Sequence, residues 1–116
     1  MSKSVREIIK EIQLEVRQSE DLLPDRAAEL LAQLASLYGN VNDKIRETEF
    51  SYNMVLLNSF EREKTANRAK IKAETTNEYL EMKQARDTKE LVKHLIGGLK
   101  YFLRAKEEEM RVSKYQ

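Results

Sequence analysis

The sequence predicts an all-α protein built from long amphipathic helices. Charged residues make up 35% of the 116-residue chain, which contains only three Gly and one Pro. This composition favours long helices with solvated faces over sheets and turns. Apolar residues recur at three- and four-residue spacing along most of the chain. That spacing predicts a helical hairpin or a three-helix, coiled-coil-like bundle that forms oligomers, and the length suits a single domain over 1–116.

The first predicted helix covers about residues 4–20. Ser4-Val5-Arg6-Glu7 has the form of a capping box, in which the Ser4 hydroxyl accepts from the Glu7 amide and the Glu7 carboxylate reaches back. Pro24 disfavours helical geometry in Leu23 but suits the first turn of a new helix. A turn is therefore expected around 21–24. The apolar face of this helix is formed by Val5, Ile8, Ile9, Ile12 and Val16.

The next segment, about 24–85, is predicted to be one long helix or a helix pair. A nearly heptad-spaced seam favours one continuous helix, and Gly39-Asn40 is the expected site of any break. We expect this seam to form an oligomer or partner interface, because it is long for a chain of this size to cover. The alanines at 66, 69 and 73 predict either a close helix approach or an exposed stretch. The interface residues are Leu30, Leu34, Leu37, Val41, Ile45, Tyr52 and Val55.

The third predicted helix covers about 88–112 and has the broadest apolar face in the chain. Asp87-Thr88-Lys89-Glu90 offers its N-terminal cap. Gly97-Gly98 falls inside the pattern, where each Gly costs roughly 1 kcal/mol relative to Ala. The pair indicates either a kink or, as we expect, a close approach by another helix backbone.

The composition argues against catalysis and against cofactors. No cysteine is present, so the sequence excludes disulfides and thiolate chemistry, and a cytoplasmic protein is expected. His94 is the only histidine. Its spacing from Glu90 allows two metal ligands, which do not complete a site, so we interpret His94 as an ordinary residue at the edge of a face. Neither an activated nucleophile nor a phosphate-binding loop is evident, so no small-molecule substrate is expected.

Neither a signal peptide nor a membrane span is evident in the sequence, so we expect no membrane association. The two halves of the chain differ in charge. Residues 1–58 carry 7 basic and 10 acidic residues, a net charge of −3, whereas residues 59–116 carry 14 and 10, a net charge of +4.

Five basic residues lie close together in the basic half, and we expect Lys64, Arg68 and Lys72 to share one helical face. Such a face suits either a solvated coiled-coil flank, which we favour, or salt-sensitive contact with a nucleic-acid backbone. Tyr52, Tyr79, Tyr101 and Phe102 are interpreted as core or interface residues in preference to base-stacking platforms. The five basic residues are Arg62, Lys64, Arg68, Lys70 and Lys72.

The segment from Tyr79 to Arg111 resembles small helical proteins encoded in the early regions of phages of Gram-positive bacteria. The resemblance covers the last third of the chain and includes Leu-Lys-Tyr-Phe-Leu-Arg at 99–104. It implies an accessory protein of recombination or replication that acts in the host cytoplasm, and it supplies no catalytic residue.

These observations predict a non-catalytic, cytoplasmic interaction protein that dimerises and binds a protein partner. The alternative is a nucleic-acid-binding accessory protein that uses the five basic residues. Salt dependence separates the two, because only phosphate contacts weaken steeply as the salt concentration rises.

Overall fold

In the computed structural model, which describes residues 3–18 and 21–114, the chain forms four helices. They are α1 (Val5–Gln18), α2 (Pro24–Arg62), α3 (Ala66–Ala73) and α4 (Asn77–Lys114). The predicted all-α fold is confirmed, and the long helices α2 and α4 pack against each other. α2 alone contains 39 residues, which corresponds to roughly 58 Å at the usual helical rise.

Hydroxyl oxygens of Ser and Thr side chains cap the N-termini of three helices. The Glu7 amide donates to Ser4 Oγ (3.2 Å) at the start of α1, as the sequence predicted. The Arg68 amide donates to Thr65 Oγ1 (3.2 Å) before α3, and the Tyr79 amide donates to Thr76 Oγ1 (3.3 Å) before α4. Each bond satisfies an amide that has no partner within its own helix. α2 begins instead at Pro24, which needs no such partner because it lacks an amide hydrogen.

One expected helix boundary is wrong, since no helix starts at 88 and α4 runs through Asp87. The favoured continuity at Gly39-Asn40 is confirmed, because α2 runs through both residues. The second segment instead breaks at 63–65 and 74–76. The second break is stabilised by hydroxyl groups: Thr75 Oγ1 donates to the Lys72 carbonyl (2.7 Å) and Thr76 Oγ1 to the Ala73 carbonyl (2.6 Å).

The chain divides into two compact units, and the first is the described part of Met1–Gly39 and Glu90–Gln116. It contains α1, the start of α2 and the end of α4. Arg26 joins α2 to α1 through a forked ion pair with Glu15 (2.5 and 2.7 Å), which lowers the pKa of the Glu15 carboxyl. Its buried apolar residues are Ile9, Ile12, Leu22, Ala27, Leu30, Leu34, Leu37, Val92 and Leu99.

The second unit is Asn40–Lys89 and contains the rest of α2, α3 and the start of α4. Tyr52, Ala73 and Met82 form its buried cluster, so each of the three helices contributes one residue. The rings of Tyr52 and Tyr79 lie 5.3 Å apart at 47°. Arg86 on α4 donates to Glu49 on α2 (2.9 Å) at the surface. Ala69 and Ala73 are fully buried. Of the two expectations for the alanine stretch, close packing and exposure, the structure shows close packing at these two residues.

Candidate interaction surfaces

The seam residues that we expected at an interface are buried or half-buried within the fold of the chain itself. Leu30, Leu34 and Leu37 are buried in the first unit, and Val41 and Tyr52 are buried in the second. Ile45 and Val55 are half-buried. The chain therefore covers this seam with its own helices, contrary to the argument that the seam was too long for it. An interface between copies at this seam would require the helices to separate.

A second apolar surface lies on α2, opposite the seam. Phe50, Met54, Leu57 and Phe60 are 68%, 53%, 56% and 44% exposed. The first three follow the i, i+4, i+7 spacing that places side chains along one side of a helix. We call these four residues the outer face of α2. The sequence argument missed them because it followed a single seam, although their own helical spacing could have revealed them.

Charged side chains lie at both ends of the outer face. Asp43 and Arg46 lie toward its start and form an exposed ion pair (2.8 Å). Exposed Glu61 lies at its other end. A shallow groove at that end is lined by Met54, Val55, Leu57, Asn58 and Glu61. A patch of exposed large apolar side chains rimmed by charges is typical of a protein-binding surface.

The five basic residues do not form one helical face. Arg62 ends α2, Lys64 lies in the connection between helices, and the other three lie on α3. The expectation that Lys64 shares a face with Arg68 and Lys72 is therefore wrong, because the helix is broken at 63–65.

Glu63 neutralises part of this basic cluster. Its largely buried carboxylate accepts from Lys72 Nζ (2.9 Å) and lies 4.0 Å from Arg68 Nε. The hydrogen bond from Lys72, together with the charges of Lys72 and Arg68, lowers the pKa of the Glu63 carboxyl. Among residues 3–18 and 21–114, no acidic side chain forms an ion pair with Arg62, Lys64 or Lys70.

The aromatic residues separate into packed and exposed ones. Tyr52 is buried and Tyr79 is half-buried beside it, and burial raises the pKa of Tyr52. Phe102 is half-buried, with Lys106 Nζ 5.7 Å from its ring centre. Tyr101 is 76% exposed. Tyr52, Tyr79 and Phe102 therefore fit the packing interpretation, whereas Tyr101 lies free on the surface of α4.

His94 is exposed beside a cavity of about 270 Å³ in the first unit, lined also by Val16, Leu22 and Gly98 among others. Glu90 forms an ion pair with Lys93 (3.8 Å). In the part of the chain that the structure describes, no three His, Cys, Asp or Glu residues are grouped as a metal site would require.

The expected close approach at Gly97-Gly98 is wrong. A Cβ atom added at either glycine would have no described atom of another element within 4 Å. Space is therefore open at both positions, and α4 continues through them without interruption.

None of the helices described over 3–18 and 21–114 combines the length and the apolar character that a membrane crossing needs. No family model, curated protein or solved structure matches this chain.

Proposed function

We propose that this chain is a non-catalytic helical interaction protein that acts through the outer face of α2. One observation carries the proposal: between residues 50 and 60, α2 is apolar on two opposite sides, and the described residues cover only one of them. Exposing four large apolar side chains along one helix is unfavourable in water, and a binding partner would remove that cost. The spacing of Phe50, Met54 and Leu57 fits a helix from another polypeptide, as in helix-in-groove and helix-pair recognition.

The proposed setting is the cytoplasm, where the chain would serve as a phage or prophage accessory factor. The absence of cysteine supports a reducing compartment. The resemblance of the last third to phage early-region proteins supports a role beside recombination or replication.

Site-specific photo-crosslinking tests the outer face. A benzophenone amino acid is placed at Leu57 in the full chain, expressed in cells that naturally carry the gene, and a matched variant carries it at Leu14 on α1. These positions are 56% and 52% exposed, so they differ in location and hardly in accessibility. We expect an adduct with a polypeptide from position 57 only, and its loss when Phe50→Glu is added. Equal adducts from the two positions, or none from 57, would refute the proposal.

The alternative function is nucleic-acid binding at the junction of α2 and α3. The observation that favours it is the exposure of Arg62, Lys64 and Lys70 without acidic partners among the described residues. Basic side chains without acidic partners at this junction can contact phosphates, and each contact releases counterions.

The triple variant Arg62→Gln, Lys64→Gln, Lys70→Gln tests this alternative. If the junction of α2 and α3 binds nucleic acid, the affinity of the triple variant for labelled DNA or RNA should fall severalfold in fluorescence anisotropy. The slope of log affinity against log salt concentration should become shallower, by an amount that corresponds to the loss of up to about three phosphate contacts. The control triple variant Lys10→Gln, Arg17→Gln, Lys100→Gln removes the same charge from exposed positions in the first unit. Equal losses in both triple variants would indicate only general charge attraction, and no binding at about 50 mM salt would exclude the alternative.

A further inference from the structure

We infer that the cavity beside His94 binds a small aromatic molecule of about two fused rings that carries a hydroxyl group. The cavity has a volume of about 270 Å³ and belongs to the first unit. No residue of the outer face of α2 lines it. The inference therefore goes beyond the proposed function and does not depend on it.

The walls of the cavity are apolar. They are formed by the end of α1, the connection that follows it, and α4. Leu22 and Leu99 are buried, whereas His94 and Gly98 are exposed, so the cavity extends from the surface toward the core. Transfer of an apolar ring from water to such walls is favourable. The apolar side chains that line the cavity are Val16, Leu22, Leu95, Leu99 and Phe102.

The volume of the cavity limits the size of the ligand. A cavity of roughly 150 Å³ in a protein interior is large enough to bind benzene. The cavity beside His94, at about 270 Å³, is larger than this and lies just below the range of roughly 300 to 1,000 Å³ that is usual for drug-sized ligands. A molecule of about two fused rings fits between these limits. Phe102 supplies a ring against which such a molecule can stack.

His94 provides the polar contact of the site. Among the described residues that line the cavity, it has the one polar side chain. Glu90, one turn earlier on α4, forms its ion pair with Lys93. Within 3–18 and 21–114, no hydrogen bond or ion pair involves the His94 side chain. An imidazole nitrogen can form a hydrogen bond with a hydroxyl group. The hydroxyl group of the ligand therefore belongs at the exposed end of the cavity, with the rings inside.

Gly98 forms part of the wall without a side chain. A glycine inside a helix costs roughly 1 kcal/mol relative to alanine. The fold gives no reason for this cost, because no described glycine has a positive φ and no other element approaches Gly97 or Gly98 closely. Of the two glycines, Gly98 lines the cavity and Gly97 does not. A side chain at 98 would occupy the space that the rings need, so ligand binding explains a glycine at this position.

Titration of the isotope-labelled full chain with 2-naphthol, followed by NMR, tests the site. This probe consists of two fused rings and one hydroxyl group. We expect saturable binding of one probe per chain, with the largest shifts at Leu95, Leu99 and Phe102. No saturable binding at millimolar 2-naphthol would overturn the inference. Shifts concentrated at the outer face of α2 would also overturn it, because they would show adsorption to exposed apolar side chains.

The two neighbouring glycines supply a matched pair of variants. Both are exposed and have open space around them, and they differ in whether they line the cavity. Gly98→Leu should weaken 2-naphthol binding about tenfold or more, because the leucine fills the cavity. Gly97→Leu should bind like the wild type. Both variants should unfold at a higher temperature than the wild type, since leucine favours a helix more than glycine does. Equal binding by the two variants would overturn the site.

Comparison of 2-naphthol with naphthalene tests the contact with His94. His94→Leu keeps an apolar wall of similar size and removes the ring nitrogens. The affinity for 2-naphthol should fall about three- to tenfold, the effect of one lost hydrogen bond. The affinity for naphthalene, which has no hydroxyl group, should not fall. Lys93→Leu is the control at an exposed neighbour that does not line the cavity, and it should bind both probes like the wild type. An unchanged affinity of His94→Leu for 2-naphthol would overturn the assignment of the hydroxyl contact to His94.

Discussion

Leu34→Ala is expected to lower the free energy of unfolding by about 2 to 5 kcal/mol. Leu34 belongs to the seam and is 0% exposed, so truncation removes buried methyl groups and leaves a cavity between packed helices. The loss includes both the transfer of those atoms and the empty volume that the neighbours fail to fill. Urea titration followed by the helical circular dichroism signal measures it.

Leu23→Ala is the matched control for this substitution. Leu23 precedes α2 by one residue and is 68% exposed, so the same atoms are removed from a side chain that is mostly in water. Its effect should remain within about 0.5 kcal/mol. Equal losses in both variants would contradict the burial of the seam. A loss in Leu34→Ala that disappears on dilution would instead support the interface predicted from the sequence.

The periodicity of the sequence predicted the helices well, because helical spacing is a local property. It did not identify what covers them. A seam of Leu30, Leu34 and Leu37 has the same spacing whether it faces the chain's own helices or a second chain. These buried residues belong to one compact unit with α1 and the end of α4, and α4 lies far from them in sequence. Helical spacing alone therefore could not decide whether these residues lie in a core or at an interface.

The helix breaks illustrate a different limit. Ala66, Ala69 and Ala73 continue the helical spacing, and neither Gly nor Pro interrupts 63–76, so the pattern indicated continuity. The signal was present in Thr65 and Thr76, residues that favour N-caps, but threonine also occurs inside helices. Only the packing of the short α3 decides between these roles.

At Asp87-Thr88 the sequence predicted a helix start where the structure has none. Thr88 lies within α4, where its hydroxyl donates to the Gln84 carbonyl (2.8 Å) and its side chain is buried. A Thr hydroxyl that bonds to the preceding turn is compatible with an uninterrupted helix. Likewise, Gly39 adopts ordinary helical geometry, since no glycine among the described residues has a positive φ. Leu37 and Val41 on either side of it are buried, and α2 is continuous there.

The candidate site was the least predictable part. The helical spacing of the outer face is present in the sequence, but its exposure is known only from the structure, because apolar residues on two opposite sides resemble a helix buried all round. The charged residues at its ends, Asp43, Arg46 and Glu61, can be read in the sequence. That they border an exposed apolar surface is known only from the structure.

Ala73→Leu is expected to destabilise the chain by about 1 to 3 kcal/mol through overpacking. Ala73 is 0% exposed and belongs to the buried cluster with Tyr52 and Met82. A leucine there would need space that the close packing of α3 does not leave. Ala66→Leu is the matched control, since Ala66 is exposed at the start of the same helix and should change stability by no more than about 0.5 kcal/mol. Stabilisation by Ala73→Leu in thermal and urea unfolding would show that a larger residue fits beside Tyr52. Destabilisation in that variant alone would show that the small side chain at 73 sets how closely α3 lies against α2 and α4.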